Sequence, residues 1–110
     1  MPTSELLASW RRTEAYLRDA RAHLSQAAEG IHADEIAEAE RFLEHNELGL
    51  AFELLNDISA ENAHESLRTR ELLALAAASM GLDEQQRAID AEITKLRGSI
   101  YETRLPTNDA

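Results

Sequence analysis

Cysteine is absent from this 110-residue chain, which excludes a disulfide framework, a thiolate zinc site and a cysteine nucleophile, and fits a reducing compartment. Proline is confined to Pro2 and Pro106, so nothing between them breaks a helix by ring geometry. No stretch approaches the roughly 20 apolar residues of a membrane span, and "MPTSELLASWRR" lacks the apolar core of a signal peptide. These absences predict a cytoplasmic protein that makes no use of a membrane. Cations are scarce as well: 11 Lys and Arg stand against 21 Asp and Glu, for a formal charge of -10. Nucleic-acid binding rests on Lys and Arg neutralising phosphates, so no nucleic-acid partner is expected, and a basic protein partner is favoured.

What remains is rich in alanine, leucine, glutamate and arginine, a composition that favours helix almost throughout. The length suits one core that removes roughly two-thirds of the unfolded surface from water. The expectation is an all-α fold, a compact bundle of about five helices forming a single domain over residues 1–105, with a loose tail over 106–110.

Thr3 or Ser4 is positioned as hydroxyl N-cap of a first helix running to about Ala28, with Leu6, Trp10, Leu17, Leu24 and Ala27 along one narrow seam. Gly30 ends it, and Asp34 caps a second helix through about Glu44, whose Ile36, Ala39 and Leu43 face one way. The stretch "FLEHNELGLAFELLNDI" then poses the question of one helix or two. His45 suits the electron-rich end of helix two, while Asn46 suits the N-cap of a third helix with Glu47 in its first turn. A corner is therefore expected. Leu50, Ala51, Phe52, Leu54, Leu55 and Ile58 cover more than half the circumference of helix three and predict a central helix. Its polar arc carries Glu53, Asn56, Asp57 and Glu61, while Glu47 turns toward the apolar side. Gly49 suggests close approach of helix two, since glycine in a helix costs about 1 kcal/mol relative to alanine.

After the polar connection "ENAHES", a fourth helix runs from about Ser66 to Met80, closed by Gly81 with Leu82 as the hydrophobic contact of its cap. Leu72, Leu73, Leu75, Ala76 and Met80 form its inner face. Asp83 caps a fifth helix with a heptad-like seam of Leu82, Gln86, Ile89, Ile93, Leu96 and Ile100. The matching narrow seams predict that helices one and five pair, flanking a hairpin of helices three and four.

Catalytic constellations are weak. "EGIH" (Glu29, His32) and "ENAH" (Glu61, His64) both carry the Glu-x-x-His spacing that supplies di-iron ligands when paired across a bundle. With glutamate this abundant such matches arise by chance, and both fall in predicted connections rather than in a bundle core. Nucleophilic triads, a glycine-rich phosphate loop and a His-Glu-x-x-His zinc motif are all missing. No enzymatic activity, cofactor or metal is expected.

The segment "RFLEHNELGLAFELLNDI", followed by "ELLALAAASMGL", resembles the small helical immunity proteins of bacterial toxin systems, the Maf-type and contact-dependent-inhibition immunity family. There a helix ends in an apolar-Leu-acidic-His-like corner and the next begins Glu-x-Gly-Leu-Ala, continuing with a glutamate and a leucine. Phe42, Leu43, His45, Glu47, Gly49, Leu50, Ala51, Glu53 and Leu55 stand at the matching positions. The resemblance spans roughly residues 31 to 82, and the chain departs from the usual pattern in its long first helix and in the helix beyond "MGL". It implies a cytoplasmic protein that binds and silences one cognate toxin, often a nuclease. An acidic helical surface suits the basic cleft of a nuclease, and Glu53, Asn56, Asp57 and Glu61 are the candidate contacts, with Asp34 and Glu38 on the outer face of helix two as the next. Each is equally readable as part of a solvated helix face. The chain itself is expected to be a monomer or homodimer; the alternative function is a homo-oligomeric structural or adaptor module whose seams of helices one and five, or whose Ala74, Ala77 and Ala78 stripe, serve self-association or hold a partner helix. A secretion chaperone is a further alternative.

Overall fold

Thr3 opens the first helix as the hydroxyl rule predicts: its Oγ1 accepts the Leu6 amide at 3.1 Å. The computed structural model describes residues 3–61 and 66–104, with side chains as far as residue 98. The middle of the "ENAHES" connection, including His64, and the 106–110 tail lie outside these residues. Among the described residues there are six helices and no strand: α1 (Ser4–Ala22), α2 (Gln26–Ile31), α3 (Ala33–Glu44), α4 (Leu48–Glu61), α5 (Leu67–Ser79) and α6 (Asp83–Arg104). The fold is an all-α bundle.

The sixth helix arises because the predicted first helix breaks after Ala22. Ser25 is extended, and its hydroxyl accepts the Ala28 amide at 3.1 Å, an N-cap that starts α2. The start of α5 locks the break in place. The buried Thr69 hydroxyl donates to the Ala20 carbonyl at 2.9 Å, and the Ser25 amide donates to Ser66 Oγ at 3.2 Å. The turn puts Leu24 and Ala28 in the core, whereas Ala27, expected on the seam, is exposed. Gly30 does not end a helix; α2 passes through it. Asp34 lies inside the first turn of α3 rather than capping it, and His32 holds the cap position.

The corner after α3 exists, but Asn46 makes it differently from an N-cap. Its φ is +57°, its amide donates to the Leu43 carbonyl at 3.2 Å, and the Glu47 amide donates to the Phe42 carbonyl at 2.8 Å. That pair of bonds, with a left-handed residue between, is the Schellman ending of α3. Asparagine is used because it tolerates this conformation better than other residues with a Cβ. Gly81, at φ +73°, ends α5 the same way, with Gly81 donating to Ala78 and Leu82 to Ala77. Glu47 directly precedes α4, its carbonyl accepting the Ala51 amide, and its side chain is exposed rather than turned inward.

Two hydrogen bonds set the direction of α1 against α5. Thr13 meets Ser79 (Oγ1···Oγ 2.5 Å) and Ala20 meets Thr69, so the helices run antiparallel. The α6 helix packs antiparallel along the other side of α5, and α4 covers a third side. The central helix is therefore α5, not the one after the corner, and α1 and α6 barely meet because α5 separates them. Helix α4 still buries Leu48, Ala51, Phe52, Leu55 and Ile58, while Leu50 is exposed. So is Leu75, expected inside. The α6 seam follows expectation through Ile89 and Ile93, both buried, and Leu96, half-buried. Burying a leucine or phenylalanine side chain fully is worth about 1.5–3 kcal/mol, and the core strung through Leu17, Ile36, Leu43, Phe52, Leu55, Leu73 and Ile89 supplies the driving force that packs the bundle.

An arginine sits inside it. Arg70 is 1% exposed. Its Nη1 donates to the Asn56 carbonyl at 3.2 Å, to Asn56 Oδ1 at 2.5 Å and to Ser59 Oγ at 3.0 Å, and Nη2 donates to the Glu92 carboxylate. A single guanidinium thus ties α4 and α6 to α5. Nearer the surface, Arg21 joins Glu29 of α2 and Glu40 of α3, each at 2.7 Å.

Candidate protein-docking surface

Positions 49, 52, 53, 56 and 57 recur at the three- and four-residue spacings of one helix face, and along α4 that face forms one wall of a concavity. The other wall is the corner between α5 and α6, where Leu82 and Gln85 stand. Gly49, Phe52, Glu53, Asn56, Asp57, Leu82 and Gln85 enclose about 340 Å³. Leu82 is placed here by the left-handed Gly81, which turns the chain back toward the core. A Cβ added at Gly49 would meet nothing within 4 Å. The close approach of the preceding helix that this glycine suggested does not occur; the residue opens onto the concavity instead.

Of the six sequence-derived contact residues, the fold brings Glu53, Asn56 and Asp57 together at this wall. Glu53 and Asp57 are exposed, one turn apart, and among the described residues no Arg, Lys or His side chain lies within ion-pair distance of either. Asn56 is half-buried, and its amide oxygen is engaged by Arg70. Glu61 sits at the far end of α4 and is drawn away from the others by His32. Asp34 and Glu38 are exposed on α3, on the side opposite its buried Ile36, Ala39 and Leu43, and are separate from the concavity.

His32 centres a second cluster, whose partners Glu35 and Glu61 come from α3 and α4. The ring is nearly buried. Its Nδ1 lies 3.1 Å from Glu35 Oε2 and its Nε2 lies 2.8 Å from Glu61 Oε2. A neutral imidazole can donate from only one nitrogen, and both contacts are with carboxylates, so the arrangement favours imidazolium. Glu35 foremost, then Glu61, hold the His32 pKa above its ordinary value, against the opposing effect of burial. The two Glu-x-x-His matches thus contribute one member each, His32 from one and Glu61 from the other, while Glu29 pairs with Arg21. Among the described residues no group of three or more His, Asp or Glu is arranged to hold a metal ion. None of the helices, over the same residues, is long and apolar enough to cross a membrane.

No protein-family model, curated protein or solved structure matches this chain. Arg70 escaped the sequence reading, although a signal was present: it shares a helical stripe with Leu73 and Ala77, at spacings of three and seven, and a cation on an apolar stripe needs buried partners. Those partners, Asn56 and Ser59, lie on α4 and so fix the helix that carries Glu53 and Asp57.

Proposed function

We propose that this protein is an immunity protein that binds a cognate bacterial toxin domain, basic and of nuclease type, and occludes its substrate-binding surface with the acidic wall of α4. The observation that carries this reading is the pair of exposed carboxylates, Glu53 and Asp57, with no cation in reach among the described residues, across the concavity from the half-buried Leu82. Five of the ten arginines already hold carboxylates within the molecule: Arg18, Arg21, Arg68, Arg70 and Arg97. The uncompensated negative charge of a chain at -10 is thus available to attract a basic surface and to speed its approach. Leu82 on the opposite wall supplies what charges alone do not, since interface energy concentrates in a few desolvated anchors. Resemblance of the corner and of α4 to the Maf-type and contact-dependent-inhibition immunity proteins supports the same reading. In this account the protein acts in the cytoplasm, without a cofactor and without catalysing a reaction, and contacts neither nucleic acid nor membrane.

The test is protection in cells. A toxin domain encoded directly beside this protein is co-expressed with wild-type protein or with the Glu53→Lys, Asp57→Lys double variant. Wild type restores growth, and the folded double variant does not. Equal protection by both removes this wall from the interface and leaves the α3 face of Asp34 and Glu38 to be examined.

A further inference from the structure

The α1 seam outruns its cover. From Thr13 onward it is fully buried, with Thr13, Leu17 and Ala20 all at 1% exposure or less. Before Thr13 it is open: Leu6 is 43% exposed, Leu7 38% and Trp10 36%. The cause is geometric. Thr13 meets Ser79, the last residue of α5, and the two helices are antiparallel, so residues 4–12 project past the end of α5 by about 13 Å at 1.5 Å per residue. Leu7, Trp10 and Arg11 fall within an arc of about 100° on this projecting part. Arg11 is exposed and has no ion-pair partner among the described residues. The molecule therefore presents an apolar, aromatic and cationic knob.

It also presents the complementary hole. The concavity between Gly49, Glu53, Asp57 and Leu82, floored by the buried Phe52, offers Leu82 and the side-chain-free Gly49 to an apolar group, carries two carboxylates with no cation in reach among the described residues, and has a volume of about 340 Å³. It lies at the same end of the bundle, since Leu82 belongs to the corner that follows Ser79. Two unlike, complementary patches at one end let a twofold axis satisfy both at once: knob into hole, and hole around knob, in a closed pair.

The geometry points to a homodimer in which the Leu7, Trp10 and Arg11 knob of each copy occupies the α4 concavity of the other, with Trp10 against Leu82 and the open backbone at Gly49, and Arg11 facing Glu53 and Asp57. An aromatic anchor in a desolvated pocket with a charged pair at its rim is the usual energetic core of an interface. This inference is independent of the toxin reading, although both use the same wall.

Trp10 is the only tryptophan, so its fluorescence reports the contact directly. The full chain, diluted across a wide concentration range, is followed by sedimentation equilibrium and by Trp emission. The expected result is a monomer–dimer equilibrium in which emission shifts to shorter wavelength as dimer forms. Arg11→Glu and the Glu53→Lys, Asp57→Lys pair each weaken the dimer by about tenfold or more. Combining them restores it, because the charges are exchanged rather than lost. Arg12→Glu, on the opposite side of α1, leaves it unchanged. All these positions are exposed, and circular dichroism confirms that each variant folds. A monomer at every concentration overturns the proposal. So does a dimer whose Trp10 emission does not move, or one indifferent to these charges; a dimer broken instead by Leu75→Lys places the interface in the groove between α5 and α6.

Discussion

Replacing Arg70 with alanine is the sharpest perturbation of this fold. The substitution removes three donor contacts on α4, to the Asn56 carbonyl, Asn56 Oδ1 and Ser59 Oγ, and one to Glu92 on α6. It also leaves a void where a wholly buried side chain packed. Breaking a buried charged pair by removing one partner costs about 3–5 kcal/mol. Here the cost falls at the lower end, about 3 kcal/mol, because Glu92 is half-exposed and rehydrates and because Ser59 Oγ keeps its bond to the Asn56 carbonyl at 3.2 Å. Arg70→Met separates packing from polarity. It retains an unbranched stem and removes a desolvated charge whose Nε has no hydrogen-bond partner, so about 1–2 kcal/mol of the loss is recovered. The assay is urea unfolding followed by circular dichroism at one fixed protein concentration, comparing midpoints at unchanged slope. An alanine variant within about 1 kcal/mol of wild type, or a methionine variant less stable than alanine, refutes the claim that this guanidinium ties α4 and α6 to α5.

Three further perturbations follow from local geometry. Because the folded pKa of His32 is raised by Glu35 and Glu61, its contribution to stability is fully present below the ordinary value near pH 6.5 and is lost as pH rises through the folded pKa. Wild type should lose more stability than His32→Gln between about pH 5.5 and 8.5, and an equal loss in both contradicts the bridge. Asn46→Ala should cost about 1 kcal/mol through its positive φ, while Asn46→Gly should be at least as stable as wild type; thermal unfolding that ranks glycine below alanine contradicts the left-handed turn. Gly49→Ala should stabilise by about 0.5 kcal/mol, since a Cβ there meets nothing within 4 Å, and a destabilised variant contradicts the open space beside this residue.

The helical class, the corner at His45 and Asn46, the Gly81 ending and the α6 seam were legible because each depends on near neighbours: periodicity, a left-handed position and a cap. What was not legible depends on distant partners. Ser25 breaks the first helix with the help of Ser66 and Thr69, which are more than forty residues away in sequence, and nothing within "AHLSQAAE" outweighs its helix-forming neighbours. The role of Asn46 was misassigned because asparagine suits both an N-cap and a left-handed C-terminal position, and only φ distinguishes them. Helices α1 and α6 have similar seams, but similarity does not say what covers them; the alanine-rich α5, with small side chains on several sides, admits close neighbours all round and takes the centre. For the candidate site, the periodicity of α4 placed Glu53, Asn56 and Asp57 on one face. The opposing wall of Leu82 and Gln85, and the diversion of Glu61 to His32, required the tertiary fold.

The central claim is that the carboxylates of α4 engage a basic toxin domain, and titration of that purified domain at low and high salt tests it most directly. Arg11→Glu serves as the reference protein and the Glu53→Lys, Asp57→Lys variant keeps Arg11, so that self-association competes in neither. The account predicts tight binding that weakens as salt rises, and a loss of about 2–5 kcal/mol in the Glu53→Lys, Asp57→Lys background if the pair is desolvated in the complex. Binding of unchanged affinity and unchanged salt dependence in that folded variant contradicts it.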